Sequence, residues 1–75
     1  MPEVLALIAS VLQVDPALLS DDDGVQTVPQ WDSLKIIMLT SMIEITYGIT
    51  LDNSDIEQLT SVRAVREVIA RHVPG

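Results

Sequence analysis

The chain has 75 residues, 48% of them hydrophobic, 20% charged and 3% aromatic, the size and make-up of a single small soluble domain spanning 1–75. It contains no cysteine, which excludes disulfides and thiolate metal sites, so an aliphatic helical core has to hold it and nothing points to secretion. Eleven acidic residues against 4 basic ones give a net charge of -7, which repels a phosphate backbone; basic patches on protein partners, not nucleic acid, are the expected complement.

From Val4 to Val14 the chain is free of charge, and Val4, Leu5, Ile8, Val11 and Leu12 recur at helical spacing on one face. The run is too short to span a bilayer, and Glu3 before it with Asp15-Pro16 after it does not suit a signal peptide, so the segment reads as mature cytoplasmic sequence. Asp15-Pro16 is expected to end this first helix, with Asp15 capping a short turn over Pro16 to Leu19. Residues 20 to 32 hold Asp21, Asp22, Asp23, Gly24, Pro29 and Asp32 with no surviving period, which predicts a long loop pinned to the core by Val25 and Val28.

A second helix is predicted from Ser33 to Tyr47, with Asp32 as N-cap and Gly48 at its end. Trp31 and Ile36 have the spacing of a hydrophobic staple around that cap. Ser54 and Glu57 have the form of a capping box, opening a short helix that includes Ile56 and Leu59. Thr60 or Ser61 then starts a last helix, where Val62, Val65, Ile69 and Val73 face the core before Pro74-Gly75 stops it. The expected fold is all-α, a four-helix bundle with a short third helix and a long loop between the first two.

The second helix is the anomaly. Ile36, Leu39, Ile43 and Tyr47 fall in one arc and form an ordinary core face, but Leu34, Met38, Met42 and Ile45 form another, and Ile37 stands alone among Thr40, Ser41 and Glu44. A helix apolar nearly all round exceeds what so small a chain can cover, so part of it should meet a partner. The alternative is that the first helix and the long loop cover the Leu34, Met38, Met42 and Ile45 arc, leaving Ile37 alone exposed.

Most site chemistry is excluded by what is missing. Gly24, Gly48 and Gly75 are isolated, so there is no phosphate-cradling loop. His72 is the sole histidine and has no partner for a zinc site, and the Asp21-Asp22-Asp23 run lacks the alternating spacing of a calcium loop and reads as a solvated charge run. Ser33, His72 and an aspartate could be drawn as a hydrolytic triad, but the oxyanion hole and substrate pocket it needs exceed the material available. What remains is Trp31-Asp32-Ser33-Leu34 at the mouth of the second helix. An anion attached to Ser33 would lie at the positive end of the helix dipole, and Lys35, which opposes that dipole, would be compensated by it. Capping by Asp32 and Ser33 with a solvated Lys35 would account for the same residues.

In combination, Asp32-Ser33-Leu34 opening an apolar helix, then Ile43-Glu44, Tyr47-Gly48-Ile49, Asp55, Leu59 and Ser61-Val62, resemble an acyl carrier protein over Asp15 to Ile69. The resemblance implies a domain without catalysis of its own, in which a phosphopantetheinyl transferase moves 4'-phosphopantetheine from coenzyme A onto Ser33. The thiol of that arm would carry acyl or aminoacyl groups as thioesters. By the same resemblance Asp32 helps orient the site and Leu34 is a residue that transferases and partner enzymes contact. A partner face of Leu34, Lys35, Ile37, Met38, Ser41, Glu44 and Ile45 would then meet the transferase, an acyltransferase or acyl/aminoacyl ligase, and the synthase enzymes of a pathway. A monomeric cytoplasmic protein with no membrane insertion is expected. A domain of the same fold that has lost the arm is the competing expectation.

The chain departs from many such carriers. Val28-Pro29-Gln30-Trp31 stands where Leu-Gly-x commonly precedes Asp-Ser-Leu, a variant more familiar in discrete carriers of polyketide or other specialised pathways than in fatty-acid synthesis. Lys35, Ile37, Met38 and Ile45 also occupy positions where fatty-acid carriers are rich in acids, which predicts recognition that is more apolar and less salt-sensitive.

Overall fold

A computed structural model describes residues 4–73. Helices α1 (Val4–Leu12), α2 (Ser33–Tyr47), α3 (Asn53–Glu57) and α4 (Val62–His72) are joined by a 3₁₀ turn at Pro16–Leu18 and by irregular segments, and no strand occurs among the described residues. The fold is the all-α arrangement expected of an acyl-carrier-like bundle. Expected Pro74-Gly75 termination lies outside the described residues.

The core forms where the helical faces converge. Val4, Ile8, Val11 and Leu12 of α1, Leu39 and Ile43 of α2, and Val62, Val65, Val68 and Ile69 of α4 are buried together with Trp31, Leu51 and Leu59. Ile36, Tyr47 and Val73 pack against this cluster half-buried. Val68, missing from the expected α4 face, is fully buried.

Helix α1 ends earlier than Asp15-Pro16 suggested. Gln13 adopts φ 59°, Val14 donates its N–H to the Ala9 carbonyl at 3.0 Å and Gln13 donates to Ser10 at 3.3 Å. That pair of bonds is a Schellman motif, which closes the helix at Leu12 with its last carbonyls satisfied. Asp15 then caps the 3₁₀ turn, its Oδ1 accepting from Ala17 N–H at 2.9 Å. The turn stops at Leu18, one residue short of the expected end, because Leu19 leaves it in an extended conformation and is itself buried.

The capping box also lies elsewhere. Asp52 Oδ1 accepts from Asp55 N–H at 2.8 Å and Asp55 Oδ2 accepts from Asp52 N–H at 3.3 Å, so α3 starts at Asn53. Ser54 is already inside the helix, where its hydroxyl and carbonyl face the Gln58 side-chain amide, and Glu57 is exposed. Leu59 lies beyond the cap at Gln58 and enters the core as part of the connection to α4. Ser61 resolves the start of α4, its Oγ accepting from Ala64 N–H at 3.1 Å.

The loop between α1 and α2 is laid along the connection between α3 and α4. Asp21 and Asp23 carbonyls accept from the N–H groups of Arg63 and Val62, and Val25 N–H donates to the Thr60 carbonyl at 3.0 Å. Gly24 pairs with Ser61 so closely that a Cβ there would stand 2.1 Å from the Thr60 oxygen. Val28 is buried as expected, but Val25 is held by its backbone while its side chain points out, 41% exposed. Asp21 and Asp22 are exposed and Asp23 half-buried, and all three are bonded. Asp22 and Asp21 pair with Arg63 and Arg66 of α4, and Asp23 accepts from Ser20 N–H and the Thr27 hydroxyl, both at 2.9 Å. These bonds, led by the one from Ser20, hold the Asp23 carboxyl below its ordinary pKa.

Candidate functional site

Helix α2 begins because Asp32, in extended backbone, turns its carboxylate onto the first turn: Oδ1 accepts from Lys35 N–H at 3.0 Å. It ends at Gly48, whose φ of 66° is a left-handed conformation that costs glycine little. Between these caps Leu39 and Ile43 are buried, which fixes the rotation of the helix and therefore what it shows to solvent.

Leu34, Ile37, Met38, Met42 and Ile45 are exposed, from 41% at Met42 to 77% at Ile45. The alternative in which α1 and the loop cover the Leu34, Met38, Met42 and Ile45 arc is thereby overturned. Its reason is geometric: the loop turns toward the α3–α4 connection, where its backbone bonds are satisfied, and leaves this side of α2 open. Ser41 is exposed as well, whereas Lys35 is half-buried. Glu44 is half-buried too, and its Oε2 accepts from Leu51 N–H at 2.8 Å. That carboxylate braces the segment between α2 and α3, a task the sequence did not reveal because it joins residues seven apart across a turn.

Ser33 is the first residue of α2 and is exposed. Amides at this end of a helix have no intrahelical acceptor, and Asp32 takes up the one from Lys35, so those of Ser33 and Leu34 remain available to an anion. None of the described side-chain hydrogen bonds reaches the Ser33 hydroxyl. His72, the only imidazole, is engaged elsewhere: its Nε2 lies 2.7 Å from Asp55 Oδ2. Among the described residues no histidine is therefore bonded to the Ser33 hydroxyl as an activating base would be. No group of His, Asp and Glu able to hold a metal ion occurs among the described residues.

Trp31, two residues before Ser33, is 3% exposed and donates its indole N–H to the Leu59 carbonyl at 3.1 Å. The sequence marks it as the apolar half of a staple with Ile36; both residues do belong to the core region, but the long-range bond to Leu59 went unseen. Its signal was available in kind, because a buried indole N–H requires an acceptor.

An all-α bundle that offers an exposed serine beside the cap of an outwardly apolar helix is the arrangement a carrier-type domain requires. The phosphopantetheine attachment site family matches residues 2–69, and the chain belongs to that family of carrier proteins of the acyl carrier type. Members carry covalently attached 4'-phosphopantetheine and work with transferases and synthase enzymes. No curated protein is a significant match to the chain.

Proposed function

We propose that this chain is a single acyl carrier domain whose Ser33 hydroxyl receives 4'-phosphopantetheine from coenzyme A, forming the phosphodiester as adenosine 3',5'-bisphosphate leaves. The carrying observation is the exposed Ser33 hydroxyl at the open N-terminus of α2 in a chain of the phosphopantetheine attachment family. The residues fit the group: the first-turn amides favour a phosphodiester, Lys35 adds a cation in the same turn, and Asp32 holds the turn without occupying the hydroxyl. When bound, the arm supplies a terminal thiol on which acyl or aminoacyl groups are held as thioesters. Loading needs a base from the transferase, since His72 is committed to Asp55. With no cysteine, the chain presents no thiol to compete for the acyl group.

Leu34, Ile37, Met38, Ser41 and Ile45 form the docking face in this reading, with Lys35 and Glu44 at half-buried positions on the same helix. Its partners are a phosphopantetheinyl transferase, an acyltransferase or acyl/aminoacyl ligase, and pathway synthases. The apolar character of the face and the Trp31-Asp32-Ser33-Leu34 sequence support polyketide or other specialised biosynthesis over primary fatty-acid synthesis. In this reading the protein acts as a cytoplasmic monomer without activity of its own. Among the described residues no helix is long and apolar enough to cross a membrane.

The test is intact mass after incubation with coenzyme A, magnesium and a broad-specificity transferase, beside Ser33→Ala. A gain of one phosphopantetheine, absent from the variant, is expected. A folded wild-type protein that gains nothing with several transferases would instead favour an armless interaction domain that uses the same face of α2.

A further inference from the structure

We propose that Trp31 is a positioning residue for Ser33, holding the mouth of α2 to the connection between α3 and α4 through its indole N–H. The inference rests on reading Ser33 as the loading site.

The attachment segment is otherwise poorly anchored. Pro29, Gln30, Asp32, Ser33 and Leu34 are all exposed, and Trp31 is the one buried side chain from Pro29 to Leu34. Its backbone closes a local turn, with Trp31 N–H donating to the Val28 carbonyl at 3.0 Å and Asp32 N–H to the Gln30 carbonyl at 3.1 Å, but neither bond reaches another part of the fold. The indole bond does leave it, reaching 28 residues along the chain to Leu59.

The acceptor is a rigid one. Leu59 is fully buried, and the residues after it are gripped by the loop through the Gly24–Ser61 pair, Val25 N–H on the Thr60 carbonyl and Val62 N–H on the Asp23 carbonyl. Trp31 therefore fastens the serine end of the loop to the same connection that fixes its middle. Asp32 follows at once and caps α2, so any rotation of Trp31 is passed to the cap and to Ser33 next to it. Burial of the ring alone would fix a depth; the N–H to Leu59 also fixes an orientation.

A serine loaded by an external enzyme has to present its oxygen where that enzyme's active site expects it. The α2 face can bring the partners together whether or not Trp31 is bonded, but alignment of the hydroxyl depends on the mouth of the helix. Loss of the bond should therefore reduce turnover more than apparent affinity.

Two replacements remove the N–H: Trp31→Phe, and substitution by the benzothienyl analogue of tryptophan, which keeps the bicyclic shape and puts sulfur in place of N–H. Steady-state loading by a phosphopantetheinyl transferase is measured for each beside the wild type. The expected result is a kcat about tenfold lower with KM for the carrier protein within about twofold, in both variants. If Trp31→Phe does not fold, the benzothienyl protein carries the same test. Unchanged kcat in a folded variant, or a rise in KM with kcat intact, would overturn the inference while leaving Ser33 as the loaded residue. A wild-type protein that is not loaded at all would remove the reading of Ser33, and this inference with it.

Discussion

Asp55 Oδ2 and His72 Nε2 lie 2.7 Å apart, joining the first turn of α3 to the last residue of α4. Asp55 is buried, it closes the capping box of α3, and Arg71 reaches its other oxygen at 3.3 Å while bonding Gln58 at 2.8 Å. A helix as short as α3 has little stability of its own, so this carboxylate, beside the packing of Ile56 on the core, attaches it to the bundle.

The hydrogen bond from His72, ahead of the Asp52 amide and the charges of His72 and Arg71, holds the Asp55 carboxyl below its ordinary 3.8 despite burial acting the other way. A carboxyl whose folded pKa is depressed contributes stability above its unfolded pKa, and the contribution is lost as pH falls from there through the folded value. Asp55→Asn should thus melt several degrees lower than wild type near neutrality, and the two melting curves should converge below 3.8. Thermal unfolding by circular dichroism across that range checks it, and a constant gap at all pH values would count against the linkage.

Gly24 is sterically obligatory. An added Cβ meets backbone atoms, the Thr60 oxygen at 2.1 Å and Ser61 Cα at 2.9 Å, neither of which can rotate away. Gly24→Ala should cost about 3 kcal/mol, the upper part of the range for overpacking a well-fitted site. Chemical denaturation measures this directly, and an unchanged midpoint would mean that the loop is not seated on the α3–α4 connection.

Gln13 holds the left-handed position of the α1 terminus with an exposed side chain. A non-glycine residue is disfavoured there by about 1–2 kcal/mol, partly offset by the larger chain entropy glycine loses on folding. Gln13→Gly should therefore stabilise the protein by about 0.5–1 kcal/mol, seen as a rise of roughly 2–8 °C in Tm.

Ile37 is 62% exposed on the proposed docking face and takes no part in the cap of α2. Ile37→Glu should leave stability within about 0.5 kcal/mol of wild type, as exposed substitutions do, yet weaken transferase binding about tenfold. Wild-type affinity should hold within about threefold as the Debye length falls from about 30 Å at 0.01 M salt to about 8 Å at 0.15 M. Titration by calorimetry at the two salt concentrations tests both statements; a steep loss on adding salt would show recognition by charge.

The sequence by itself determined whatever depends on neighbours within about one turn. Apolar spacing located α1, α2 and α4; Asp15 marked the cap of the 3₁₀ turn, Asp32 that of α2 and Thr60 or Ser61 the start of α4, Gly48 marked a stop, and Asp32-Ser33-Leu34 stood out as the candidate site because its cap and its helix are continuous in the chain. The tertiary structure decided what joins distant segments. Ser54-x-x-Glu57 fits the capping-box pattern on paper, but the box forms at Asp52-x-x-Asp55, where Asp55 is also met by His72 and Arg71 from α4. The seat of the long loop, the need for glycine at Gly24, the bond from Trp31 to Leu59 and the exposed side of α2 share that origin. Each is a contact between backbone or polar groups 28 or more residues apart, or a consequence of where such contacts lead the chain, and contacts of that kind leave no period in the sequence.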